Sequence, residues 1–96
     1  MFKIIKIFEN SSTLIYKLEG EINDNNLSSW AEELEKIVNN SNDHHVIFEG
    51  CEISYMNPNS VKILIKRLKN KVFFMNLPNY IKNMIVHAGY KAHLLD

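Results

Sequence analysis

The sequence predicts a single-domain α/β fold, a mixed β-sheet with helices packed on it in the order ββαβαβαβ. Three observations carry that expectation. The first twenty residues alternate apolar and polar side chains around a short polar link, Asn10-Ser11-Ser12, as a hairpin does. After them, short apolar runs alternate with stretches whose apolar residues recur at helical spacing. Such strand-helix-strand alternation implies right-handed crossovers and helices laid on a sheet. Finally, 96 residues suffice for one two-layer core and not for two, so residues 1–96 form one domain.

Taken in order, Phe2 to Phe8 reads as extended, its apolar residues set around Lys3 and Lys6. Thr13 to Glu19 resumes the alternation, with Leu14, Tyr16 and Leu18 on one side and Thr13, Ile15 and Lys17 on the other; Gly20 ends the strand. Asn23-Asp24-Asn25-Asn26 offers several helix N-caps. Leu27, Trp30, Ala31, Leu34 and Ile37 then share one helical face, with Glu32, Glu33 and Glu35 toward solvent. Trp30 on that stripe reads as a core anchor. Asn39 to Asp43 stops the helix. Val46-Ile47-Phe48 suits a strand buried on both faces, broken by Gly50 and followed by a short extended segment around Ile53 and Tyr55. Asn57 is a strong N-cap, and Pro58 suits the first helical position, where its missing N–H costs nothing. Val61, Leu64, Ile65 and Leu68 follow on one face. Beyond Asn70, Lys71 to Met75 is another buried strand. Pro78 opens a third helix with Ile81, Met84, Ile85 and Ala88 on one face and Gly89 as its C-cap. Ala92 to Leu95 reads as a short last strand.

Composition narrows the function. Hydrophobic residues at 46% against 23% charged are ordinary for a globular chain. No apolar run approaches a membrane span, since Asn76 interrupts the run from Val72. The N-terminal run contains Lys3 and Lys6 and lacks a small-residue cleavage site, so it reads as a strand and not a signal peptide. A single cysteine, Cys51, excludes an internal disulfide and fits a reducing cytoplasm. The net charge of zero hides an asymmetry: four lysines stand against ten acidic residues from Met1 to Ile53, and seven cations against no acid from Ser54 to Leu95. Halves that interleave in space cancel such fields. A pI near 6.9 disfavours a nucleic-acid partner.

Catalytic chemistry finds little support. Cys51 beside a histidine would be a nucleophile candidate, but Glu49 and Glu52 flank it and raise a thiol pKa. A structural cysteine is the better reading. Asp43-His44-His45 lacks the spacing of a metal site. His87 reads as a partner of its own helix C-terminus. Three isolated glycines cannot build a phosphate loop. The expectation is no catalytic residue, no metal and no cofactor, with a small Cys/His hydrolase as the remote alternative.

Several stretches, in order, resemble the STAS domain, the sulfate-transporter and anti-sigma-factor-antagonist family. Leu18-Glu19-Gly20-Glu21-Ile22-Asn23 resembles the family's L-x-G-E-L-D after the hairpin. His45-Val46-Ile47-Phe48-Glu49 is similar to its buried vvlDl strand, and Ile53-Ser54-Tyr55-Met56 to the vsfiD approach to its signature D-S-[ST]-G loop. Val72 to Asn76 and Ile81 to Gly89 match the later strand and the helix ending in glycine. The resemblance covers nearly the whole chain, and the signature departs from it. Matched without gaps, the family's Asp falls on Asn57, its usual phospho-acceptor on Pro58, the next hydroxyl on Asn59 and the Gly on Ser60. Proline has no hydroxyl, so a phospho-switch there is chemically impossible. Ser60, near the third helical position, is the nearby acceptor in a shifted register.

The resemblance implies a non-catalytic protein-interaction module. Its docking surface would comprise Met56, Asn57, Pro58, Asn59 and Ser60, with Lys62, Lys66 and Arg67 steering an acidic partner. Two partner classes follow. An anti-sigma factor kinase is favoured by family frequency. The ATPase or permease subunit of a phospholipid ABC transporter is favoured by the Gly20-Glu21-Ile22-Asn23…Trp30 pattern and by the absence of the extra C-terminal helix many partner-switching members carry.

Overall fold

The structure, a computed structural model, describes residues 2–68 and 72–96, with the backbone alone at positions 58, 59, 61, 64 and 68. The predicted strand start at Lys71 and the facing of Val61, Leu64 and Leu68 therefore lie outside the described residues. In chain order the elements are β1 (Phe2–Glu9), β2 (Thr13–Ile22), α1 (Leu27–Asn39), β3 (His45–Met56), α2 (Pro58–Leu68), β4 (Val72–Met75), α3 (Asn79–His87) and a 3-10 turn, Lys91–His93. One sheet has the order β1-β2-β3-β4. β1 and β2 are antiparallel, and the other two pairs are parallel. The mixed α/β sheet is the one the sequence predicts.

Local chemistry accounts for the hairpin. Asn10 Oδ1 accepts from the Ser12 and Thr13 amides at 2.9 and 2.8 Å, an Asx turn that reverses the chain. Two glycines act differently from expectation. β2 continues through Gly20, whose φ of 112° accommodates a register shift before Glu21, so this glycine makes a bulge and not a stop. β3 likewise runs through Gly50. A Cβ there would lie 2.4 Å from Leu77 Cδ2 and 3.1 Å from Ile53 Cδ1; the missing side chain lets the loop after β4 close onto the strand. The predicted last strand reduces to a single bridge, Phe74 to Leu94, with the Leu95 amide donating to the Phe74 carbonyl at 2.9 Å.

One face of the sheet holds the core. Leu18 and Ile22 of β2, Val46, Phe48, Ile53 and Met56 of β3, and Val72 and Phe74 of β4 form one cluster with Trp30, Ala31, Leu34, Ile65, Ile81 and Ile85 of the helices. α1 lies beside α2, and α2 beside α3, as one layer. Trp30 is the anchor: it is fully buried and stacks on Phe2 with ring centroids 4.3 Å apart. Its indole N–H donates to the Glu21 carbonyl at 2.9 Å, tying α1 to the end of β2. Asn26 precedes α1 without capping it. Its amide instead accepts from the Asn23 N–H and donates to the Glu21 carbonyl, so the asparagine run builds the turn.

Trp30→Phe should cost about 1 kcal/mol, because the Glu21 carbonyl loses one of its two donors and keeps Asn26, and Trp30→Ala about 3–5 kcal/mol through the cavity left behind. Urea unfolding followed by far-ultraviolet circular dichroism measures both.

Candidate functional site at the strand-to-helix junction

The junction is fixed by the backbone. Past Met56 the Asn57 N–H donates to the Ile22 carbonyl at 2.9 Å, carrying the β2–β3 contact one residue further. α2 then begins at Pro58, as its fixed φ and missing donor favour. The Ser60 amide donates to the Asn57 carbonyl at 2.9 Å, closing the first turn. Asn57 Nδ2 donates to Asp24 Oδ1 at 3.0 Å, which links this turn to the one that precedes α1. The junction thus sits at the carboxyl end of a parallel strand pair, where open α/β sheets present binding surfaces.

The structure sorts the predicted contact residues. Lys62 and Lys66 are exposed. Arg67 is also exposed, but its Nε pairs with Glu35 Oε1 of α1. The side chains of Pro58 and Asn59 lie outside the described residues. Met56 and Ser60 differ from the others: both side chains are buried, because the strand alternation and the helix turn direct them into the core, so neither side chain is presented at the surface of this chain. The Ser60 hydroxyl is fully buried, with no hydrogen-bond partner among the described residues. A kinase reaches it only if the first turn of α2 opens, which removes the sequence argument for phosphorylation there. Of the residues absent from the prediction, Ile63 joins this surface, more than two-fifths exposed; Tyr55, equally exposed, lies on the opposite face of the sheet from Met56. Ile63 was legible, since it falls off the helical stripe that Ile65 occupies.

The charged halves interleave. Acidic α1 lies beside basic α2 and the Arg67–Glu35 pair crosses between them, leaving Lys62 and Lys66 exposed with no ion pair among the described residues.

The other reactive groups are dispersed. His44 turns its ring nitrogens to the Ser41 and Asn10 carbonyls, each at 3.0 Å, while His45 lies against the Phe73 ring. Adjacent in sequence, they serve different neighbours. Among the described residues no three potential metal ligands cluster. His87 Nδ1 donates to the Asn83 carbonyl at 2.7 Å within the last turn of α3. Cys51 corrects the expectation of a structural cysteine, for it is exposed on β3. Its thiol donates to Glu49 Oε2 at 3.3 Å. That hydrogen bond, then desolvation and the charges of Glu49 and Glu52, push its pKa up. A thiol held protonated is a poor nucleophile at neutral pH.

The architecture is a mixed α/β fold of the kind the resemblance implies. Two solved structures share the fold over the whole chain. One is the anti-sigma factor antagonist SpoIIAA in its unphosphorylated form, with a TM-score of 0.67 at 12% identity, covering 100% of this chain and 87% of that one. The other is the Bacillus cell fate determinant SpoIIAA in the phosphorylated form, with a TM-score of 0.64 at 12% identity, covering 100% of this chain and 90% of that one. At this identity the likeness is one of fold. No family model matches the sequence, and no curated protein does.

Ser60→Ala should raise stability by about 1 kcal/mol, since it removes a buried hydroxyl without a partner; denaturant unfolding measures the change. For Cys51, alkylation by iodoacetamide at neutral pH should run slower than that of a free thiol. Glu49→Gln should shift the rate-against-pH midpoint downward, because the carboxylate that holds the proton is gone.

Proposed function

We propose that this chain is a non-catalytic protein-interaction module of the anti-sigma factor antagonist type, docking through Lys62, Ile63 and Lys66 on the exposed side of α2. The observation that carries the reading is the exposed Lys62–Ile63–Lys66 stripe along α2, on a fold shared with SpoIIAA. An apolar side chain flanked by cations suits a partner surface with an apolar pocket and acidic rim. The lysines raise the association rate and make it salt-dependent. SpoIIAA is known in phosphorylated and unphosphorylated forms. In this chain the position matched to the family's acceptor is Pro58 and the Ser60 hydroxyl is buried, so the reading here is of a contact surface without a phosphate toggle at that place. No helix among the described residues is long and apolar enough to cross a membrane.

The partner class on this reading is an anti-sigma factor kinase. Affinity capture on the intact chain from native lysate tests it. Recovery of a GHKL-type kinase supports the reading, and recovery of an ABC transporter ATPase subunit moves the module to transport. Recovery of neither overturns both. Against the recovered partner, Lys62→Glu combined with Lys66→Glu should weaken binding at least about tenfold and flatten its salt dependence. Arg67→Ala should change affinity little, since Glu35 already holds that guanidinium. Unchanged affinity in the double variant would remove α2 from the interface.

A further inference from the structure

The sheet has a second face, on the side away from the helices. Residues paired directly across neighbouring strands share a face. Phe8 pairs with Ile15, Ile15 with Ile47 and Ile47 with Phe73, so these four form one row across all four strands. By the same register the next row on this face is Ile5, Lys17, Glu49 and Met75. None of the six apolar residues in these rows belongs to the core cluster or packs against it, and Ile5 and Phe8 are 42% and 46% exposed. A contiguous apolar patch of this kind is a mark of an interaction surface.

Glu49 stands out on this face. It is only 7% exposed, and its carboxylate accepts from the Cys51 amide and thiol. Among the described residues no cation lies within ion-pair distance of it. Lys17, its register neighbour, reaches Glu19 instead, at 3.9 Å. A nearly buried carboxylate with no cation is costly unless one is supplied.

We propose that a second copy of this chain packs on this face, the two sheets back to back about a two-fold axis that runs along the strands between β2 and β3. A two-fold contact must be complementary to itself. Rotation about this axis exchanges β2 with β3 and β1 with β4 while keeping the level along the strands. Ile15 then meets Ile47 of the second copy, Phe8 meets Phe73, and Ile5 meets Met75. Lys17 meets Glu49, and the symmetry makes that ion pair twice. An axis across the strands instead sets Lys17 on Ile15 and Glu49 on Ile47, charge against hydrocarbon. Over these two rows the register favours the first axis; one row further along the strands the same axis sets Glu19 against Glu52 of the second copy, which weakens the contact. A net charge of zero adds no long-range repulsion between copies. Four strands about 4.8 Å apart and about five residues at about 3.3 Å give roughly 300 Å² of projected patch per copy, about 600 Å² for the pair and below the standard size of specific interfaces, in the range of weak, transient association. The dimer is accordingly weak and concentration-dependent. It leaves α2 of both copies facing outward.

Sedimentation equilibrium of the intact chain from about 1 μM to about 1 mM should show a reversible monomer–dimer equilibrium. Lys17→Glu and Glu49→Lys should each weaken self-association at least about tenfold. Mixing the two single variants should restore association as a heterodimer, since each supplies the charge the other lacks. A wild-type chain monomeric throughout, or a dimer indifferent to both substitutions, overturns the proposal. Where a variant fails to fold by circular dichroism, the wild-type methyl resonances decide. Shifts of Ile15 and Ile47 on dilution with Ile63 unmoved support the face, and shifts at Ile63 with Ile15 and Ile47 unmoved overturn it.

Discussion

The parallel pairing of β2 with β3 is the constraint from which the rest of the molecule follows. Parallel neighbours cannot be joined by a tight turn, so a crossover is required, and α1 supplies it. The crossover commits one face of both strands to the helix layer, which is why Leu18, Ile22, Val46 and Phe48 share one cluster with Trp30 and Leu34. The pairing persists from Thr13 and His45 to Ile22 and Met56. One hydrogen bond further, from Asn57 to the Ile22 carbonyl, the chain is delivered to the sheet's carboxyl edge with Pro58 in position to start α2. The candidate site is the place where that ladder ends.

What the sequence made legible was local. The hairpin, the helix starting at Pro58 and the core role of Trp30 depend on periodicity and cap chemistry that lie within a few residues of one another. What it concealed depends on distant neighbours. Gly20 and Gly50 both read as strand ends, yet one absorbs a register shift against β3 and the other makes room for Leu77. A glycine carries no local mark that separates a break from a close approach. The site was legible in the same measure. Its position and its lysines follow from the stripe of α2, whereas the burial of Met56 and Ser60 depends on how strand and helix are turned against the core. The pairing of Arg67 with Glu35 spans two helices and has no signature in either.

At 12% identity to SpoIIAA, few side chains are held in common over a fold that covers the whole chain. Hydrophobic pattern and turn chemistry fix such an architecture, and sites are grafted on it. The asymmetry of charge along the sequence belongs to the same economy of design. It brings an acidic helix beside a basic one, and among the described residues the Arg67–Glu35 ion pair crosses between them.

β1 is the outermost strand of the sheet, with no strand beyond it among the described residues. Its outer backbone groups form a row open to any extended segment. Yet the register slips between Lys6 and Phe8, and Lys3 and Lys6 are exposed along it. Bent ribbon and repeated cations are how natural sheets frustrate cross-β stacking. The border of the fold can therefore stay uncovered in a crowded solution without seeding fibrils.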